Sequence, residues 1–504
     1  MLEDMDDAVA QSFLDLRDDC AELLWIIEDR SERIAALRSK RQKHLLPETS
    51  TALLDQEKTL LSIYEKCASD LRELLSVRDQ SRLDECLQVR DRVADILRNF
   101  QGVSGALLAS SGWQSPSFLA AKHSQAGLET GSITGTVNDY KRDQHWDELR
   151  YEQAFVKEYI DSALRFTPFA FVTASGMAAF TTIVATLLDD PTCKGPVLIG
   201  ASSYFENIQI AQLYFPSRVI LVDEMDVEAI IEAIRVHKPS VLFLDTMCNA
   251  ITMAAPDLAT LIPRIFHVLE SPLTLVLDAT GTSMTYQVLN DIPLLNIKLH
   301  VIVFESLLKF HQYGMDRVSG GIMWRTAMSP FPLFGRRMHI GTNLVDASVL
   351  SLPWPNRSIL KKRLGRHHRN ATMIAQALDI HVRSDRRTVL ERIVYPGLPN
   401  HPAHAWMKDR DFHGAFFVIV LKERYRKTAT HMKFLEYAVE EARNRGVELI
   451  AGSSFGLSKT RVYLTALRAV GTTEPFLRIS AGTETVIEVE KIISALTRAL
   501  ERLV

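Results

Sequence analysis

The chain has 504 residues, 47% of them hydrophobic and 24% charged, with a formal net charge of -3. That is a globular composition with material for more than one core, and no global basic field points to nucleic acid or an anionic membrane. The acidic opening MLEDMDDAVAQ lacks the layout of a signal peptide, and no apolar run reaches the roughly 18 residues of a membrane span.

The five cysteines are scattered with no CxxC pair, so the reading is of reduced thiols in a cytoplasmic protein, with no disulfide framework and no zinc site. The first hundred residues carry helical periodicity. Phe13, Leu16, Cys20, Leu23, Ile27, Ile34 and Leu37 form one apolar seam, interrupted by Arg30. Pro47 ends that helix. A second seam runs through Leu53, Leu60, Tyr64, Cys67, Leu71 and Leu74, and a third through Leu83, Cys86, Val93, Leu97 and Phe100, capped near Asp79 or Ser81. Three such helices make a bundle or pair with a partner. Their acidic outer faces are expected to be solvated, with a protein-binding module as the alternative. Residues 101–139 are rich in Gly, Ser, Ala and Thr and read as a linker or docking arm.

From about Ala170 the period changes. The runs AFVT, VLIG, RVILVD, SVLFLD, LTLVLD, LHVIVFES and GGIMW alternate with helix-length segments. Strands with few polar interruptions belong to a sheet covered on both faces, and this alternation predicts a mostly parallel α/β domain. Ligands collect at the carboxyl ends of such strands, where Ser175-Gly176, Asp245, Asp278 and Ser306 fall. From about residue 345 a long helix (Ser358 to Leu378), the strands in HGAFFVIVLKE and FLRISA, and a final helix (Val486 to Leu503) predict a smaller α+β domain.

Three short elements carry candidate chemistry. Ser175-Gly176-Met177 follows a strand and opens a helix, where backbone N–H groups and the helix dipole favour an anion; an ordinary cap reads the same way. Asp278 ends a buried run and needs a partner, which a bound cation would supply; a helix cap or a structural ion pair reads the same way. Lys309, in Ser306-Leu307-Leu308-Lys309, lies just past a buried strand. A desolvated lysine there can form a Schiff base, whereas one that reaches solvent is structural.

Taken together and in order, these elements resemble the Cys/Met-metabolism (trans-sulfuration) family of pyridoxal 5'-phosphate (PLP) enzymes over about residues 140–504. The SGMAA element stands at Ser175–Ala179, Tyr-x-Arg at Tyr140-Lys141-Arg142, and the ring-stacking tyrosine at Tyr204. Asp245 and Asn249 match an acidic residue followed by asparagine, and Asp278 with Thr280 matches the aspartate element. Ser306-Leu307-Leu308-Lys309 matches Ser-x-Thr-Lys, Ser454-Phe455-Gly456 matches Ser-Leu-Gly, and Arg478 in FLRISAGTE matches the family's arginine.

The resemblance implies PLP-dependent transferase fold type I (aspartate-aminotransferase-like): 1–100 a helical extension, 101–139 a linker or arm, 140–344 a PLP-binding large domain and 345–504 a small domain. It implies that Lys309 holds PLP as an internal aldimine and then takes the α-proton. Asp278 would keep the ring nitrogen protonated, Tyr204 cover the ring, and Asn249 reach its hydroxyl. Ser175, Gly176, Met177, Thr280 and Ser306 would surround the cofactor. Arg478 and Ser454 would hold the amino-acid substrate's carboxylate. Tyr140 and Arg142 would reach the phosphate of a neighbouring subunit, which implies a homodimer or homotetramer. The implied reaction is elimination or replacement at the γ carbon, with a C–S β-lyase or an aminotransferase as alternatives. A different class is a regulatory protein on a decayed PLP fold.

The departures cluster around the same site. Phe205 and Glu206 replace two glycines, Leu308 replaces a threonine, and Gly314-Met315-Asp316 replaces Gly-His-Ser-Asp; such a pocket could take a larger or non-sulfur nucleophile. Ser306-x-x-Lys309 also fits penicillin-recognising enzymes, but SDN and KTG companions are absent. His367-His368, in a basic helical run, is expected on a solvated face, and His311 either lines the site or packs beside it.

Overall fold

The computed structural model describes residues 2–40, 47–77, 79–111, 114–115, 133–134, 146–293, 298–385, 387–465 and 476–504. Three long helices come first: α1 (Leu2–Lys40), α2 (Pro47–Ser76) and α3 (Leu83–Ser111). Pro47 opens α2, at a position whose N–H has no helical partner in any case. The expected seams meet in one core, with Cys20, Ile27 and Ile34 of α1, Tyr64 and Leu71 of α2, and Val93 and Leu97 of α3 all buried. Arg30 is buried as well, because its Nη1 donates to the Leu97 carbonyl at 2.9 Å.

After α4 (Trp146–Tyr159) comes a seven-stranded sheet. Its strands are β1 (Pro168–Thr173), β2 (Val197–Gly200), β3 (Val219–Val222), β4 (Val241–Asp245), β5 (Leu273–Asp278), β6 (Leu299–Ser306) and β7 (Gly321–Thr326). The spatial order is β1-β7-β6-β5-β4-β2-β3, and only β7 runs against the rest. Every residue of β2, β4 and β5 is buried, as expected for strands covered on both faces. The connecting helices include α5 (Gly176–Asp189), α6 (Phe205–Tyr214), α7 (Val227–His237) and α8 (Leu258–Val268).

The chain then passes through α9 (Leu333–Ile340), α10 (Asp346–Ser351) and α11 (Arg357–Ser384). A second sheet follows, β8 (Leu390–Val394), β9 (Phe416–Leu421), β10 (Ile450–Ala451), β11 (Arg461–Thr465) and β12 (Phe476–Ser480), in the order β8-β9-β12-β11-β10. Two helices, α12 (Thr428–Asn444) and α13 (Val486–Glu501), pack against each other beside this sheet. Among the described residues no helix is long and apolar enough to cross a membrane.

Three expectations change. Residues 101–111, read as the start of a linker, are the last turns of α3. Their small side chains serve helix packing: a Cβ on Gly105 would collide with Ser351 Oγ and the Ala347 carbonyl of α10. Second, the acidic face of α1 is not all solvated. It lies on the basic face of α11, where Asp15 pairs with Arg369 at 2.7 Å, Asp19 with Arg366 at 2.8 Å, Glu22 with Arg363 at 2.7 Å and Asp18 with Lys362 at 2.8 Å. Third, His367 is buried beneath that face. Its Nδ1 lies 2.8 Å from the Ala481 carbonyl, and burial among cationic neighbours lowers its pKa to about 3. The run looked solvated because its counter-charges lie some 350 residues away in sequence.

Candidate active site

The carboxyl ends of β1, β4, β5 and β6 and one face of the second sheet enclose a cavity of about 740 Å³. Of the site residues expected from sequence, Ser175, Gly176, Met177, Tyr204, Asn249, Asp278, Thr280, Ser306, Lys309, Ser454 and Arg478 all line it. Tyr140 and Arg142 lie outside the described residues. His311 does not line it. It is buried against Glu305 Oε2 (2.8 Å) and Ser283 Oγ (3.1 Å), on the far side of β6.

Strand register brings the acidic groups together. Asp245 and Asp278 are last residues of adjacent parallel strands and face each other across the ladder. Asp278 accepts from the Thr280 N–H at 2.9 Å and from Asn207 Nδ2 at 3.3 Å. Burial raises its pKa, and those two hydrogen bonds pull the other way. Asp245 accepts from the Tyr204 N–H at 2.9 Å; burial, and then the neighbouring Asp278 charge, push it well above the usual carboxylate range. Two carboxyls this buried cannot both stay ionised unless a cation stands beside them; otherwise one holds a proton.

Lys309 stands opposite. Its Nζ lies 5.5 Å from the Phe455 ring centroid, and burial lowers its pKa, with Arg478 adding to the effect while Asp316 and Asp278 oppose it. The amine is therefore less basic than that of an exposed lysine, and its neutral, nucleophilic form is easier to reach. On β12, Arg478 is 4% exposed. Its Nη1 donates to Asn249 Oδ1 at 2.7 Å and its Nη2 to the Ser454 carbonyl at 3.0 Å, while its Nε, also buried, has no partner in the structure. Burial lowers its pKa to about 10, so the fork stays charged at neutral pH. Tyr204, just before α6, keeps its hydroxyl protonated, because burial and the nearby Glu206 carboxylate raise its pKa.

The anion end is built from backbone. Ser175 caps α5, its Oγ accepting from the Ala178 N–H at 3.0 Å, which leaves the first-turn N–H groups of Gly176 and Met177 beside the cavity. Gly176 passes close to β6, where a Cβ would sit 3.0 Å from Ser306 Cβ and press on it. Thr280 Oγ1 accepts from the Ser306 N–H at 3.0 Å and so ties the ends of β5 and β6. An anion cradle, a ringed cavity, a buried carboxylate and a desolvated lysine fit PLP as a donor set.

Sequence reasoning missed Asn207, which reaches Asp278 from behind the lining, and three residues of the lining itself: Phe455 as a ring beside Lys309, and Tyr463 with Thr465. Asn207 was legible in principle, three residues after Tyr204 on the opening turn of α6. Tyr463 and Thr465 alternate along β11, a period that identifies a strand face without saying what it faces.

A family model described as Cys/Met metabolism PLP-dependent enzyme matches residues 114–501. The bifunctional enzyme flvA of Aspergillus flavus is 26% identical over 349 residues, covering 66% of this chain but only 39% of that protein, so the match spans less than half of that relative. A cystathionine beta-lyase of Coxiella burnetii is 24% identical over 371 residues, covering 71% of this chain and 87% of that one. Among solved structures, metB of Corynebacterium glutamicum superposes with TM-score 0.58 at 20% identity (74% of this chain, 89% of that one). The cystathionine gamma synthase of Xanthomonas oryzae pv. oryzae superposes with TM-score 0.57 at 17% identity (74% and 90%). At these identities the structural likeness establishes the fold.

Proposed function

Since the chain belongs to the Cys/Met-metabolism family of PLP-dependent enzymes, we propose that it catalyses elimination or replacement at the γ carbon of an amino acid, with Lys309 as the lysine that holds the cofactor. The observation that carries this reading is the convergence of Lys309, Asp278, Arg478 and the Ser175–Met177 turn on one cavity. When bound, PLP supplies an electron sink for charge developing at the α carbon.

Each protein group then has a task its environment suits. The Gly176 and Met177 N–H groups and the Ser306 hydroxyl would hold the phosphate. The Asp278 carboxylate, oriented by Thr280 and Asn207, would hold the cofactor's ring nitrogen in its protonated, cationic form. The Arg478 guanidinium, aimed by Asn249 and Ser454, holds the substrate carboxylate with paired charge-assisted bonds. Lys309 Nζ, made less basic by burial, takes the proton from the α carbon. The Tyr204 hydroxyl stays protonated and can donate to a departing group. Tyr140 and Arg142 are assigned to the phosphate of a partner subunit, which makes the active unit at least a dimer.

The test is spectroscopic and chemical. The purified protein is expected to show a lysine-bound PLP band near the violet edge, and Lys309→Ala to lose it. Homoserine esters are expected to yield a four-carbon α-keto acid, or a γ-substituted product when a nucleophile is supplied. Pyruvate from cysteine conjugates alone would assign β-elimination instead. A colourless protein that cannot be reconstituted with PLP sinks the proposal.

A further inference from the structure

The helical region has no assigned task, yet two of its three helices reach the segment that carries Lys309. That segment, residues 307–318, leaves β6 and returns to β7 with Tyr313, Gly314 and Asp316 all in the left-handed region (φ 49°, 79° and 51°). A loop so strained needs holding from outside. One side chain spans it. Gln312, fully buried, donates through Nε2 to the Leu307 carbonyl at 3.1 Å and the Val318 carbonyl at 2.6 Å, and its Oε1 accepts from the Val318 N–H at 3.3 Å. Both ends of the loop thus hang on one amide.

That amide is oriented from α3. Gln101, also fully buried, donates through Nε2 to Gln312 Oε1 at 3.1 Å and to the Ser351 carbonyl at 3.3 Å. With a donor facing Oε1, the Gln312 NH2 group is directed at the two loop carbonyls. From α1, the Trp25 ring meets Tyr313 edge-on at 5.1 Å. A second route comes through Glu22, whose ion-pair partner Arg363 donates to the Gly456 carbonyl at 3.2 Å. Gly456 lies against the Lys309 backbone, where a Cβ would stand 2.6 Å from the lysine carbonyl carbon.

We propose that the N-terminal helical region is a built-in brace for the lysine loop, and that Gln101 is a positioning residue acting through Gln312. The proposal rests on the reading of Lys309 above. It places the region's contribution in the rate of the lysine's proton transfer, and leaves substrate affinity with Arg478.

Gln101→Met tests this in the full-length, cofactor-loaded protein, because it keeps length and helix propensity while removing the donor. Gln101→Glu, which sets a carboxylate against Gln312 Oε1, is the stronger variant. Leu261→Ala, fully buried on α8 away from the helical region and from the cavity lining, is the control for plain destabilisation. Amide hydrogen exchange in peptide 307–318 is expected to rise about tenfold in Gln101→Met, the order for losing one buried hydrogen bond's orientation. The pH midpoint of the bound-cofactor band is expected to shift, and kcat to fall with KM unchanged. Leu261→Ala is expected to lower Tm with none of these changes. If Gln101→Met and Leu261→Ala behave alike in exchange and titration at equal loss of Tm, the brace is overturned. If the parent protein binds no PLP, the Lys309 reading fails instead, and the exchange measurement still decides the brace.

Discussion

At the scale of single residues, the site is a set of ionisable groups whose burial changes what they do. Lys309 alone has the chemistry of any lysine. Beside a β-strand end and facing the Phe455 ring, its amine loses affinity for a proton and gains nucleophilicity. Arg478 stays charged despite burial, because a pKa of about 10 still lies well above neutral pH. Its two hydrogen bonds, to Asn249 and Ser454, direct the fork and leave Nε unpartnered. Arg478→Ala is therefore expected to raise KM for the amino-acid substrate about a hundredfold, with kcat less affected, the order for losing a bidentate charge-assisted pair. Steady-state kinetics with a fixed nucleophile concentration check it; an unchanged KM would remove Arg478 from carboxylate binding. The departures are legible at this scale too. Phe205 and Glu206 line the cavity where the resemblance expects glycines, so a ring and a carboxyl stand in the site that the pattern leaves without side chains.

At the scale of elements, hydrophobic period served well where burial is simple. The strands of the large sheet fell where apolar runs predicted them, and the three helical seams met in one core. It failed where an element is decided by its neighbour. The glycine-containing end of α3 has a loop-like composition, yet α10 packs so closely that Gly105 has no room for a side chain. Two effects compete in Gly105→Ala. Alanine is the better helix former by about 1 kcal/mol, while the overlap with Ser351 and Ala347 costs about 1–3 kcal/mol. The steric effect is expected to win, with a net destabilisation of about 1 kcal/mol in a urea titration. A stabilised variant would show that α3 and α10 can separate freely. His367 makes the same point for polar periodicity: a basic run reads as solvated until the acidic helix that covers it is known.

At the scale of the whole molecule, the helical region and the C-terminal part are joined by buried charge. Arg90 on α3 pairs with Glu488 on α13 at 3.0 Å and with Asp19 on α1 at 2.9 Å, and Lys459 pairs with Asp91 at 2.7 Å. Burial by itself would raise the Glu488 carboxyl, but Arg90 and Lys459 outweigh it and hold its pKa at about 2, below its ordinary 4.5. A carboxyl depressed on folding stabilises the folded state above its unfolded pKa and stops doing so as pH falls through the folded one. Glu488→Gln is accordingly expected to cost about 3 kcal/mol at pH 7, the order for breaking a buried pair. The difference from the parent protein is expected to shrink from about pH 4.5 down to about 2; denaturant unfolding at several pH values measures it, and a pH-independent difference would mean that charge is not what joins the two parts. The sequence by itself determined the succession of strands and helices along the chain, the helical seams and the identity of eleven cavity residues, because these depend on local period and on short motifs at strand ends. Only the tertiary structure decided that α1 lies on α11, that α3 extends to Ser111, and that Gln101 reaches Gln312. Those contacts join residues more than 200 positions apart, and no local period records which polar side chain will meet which.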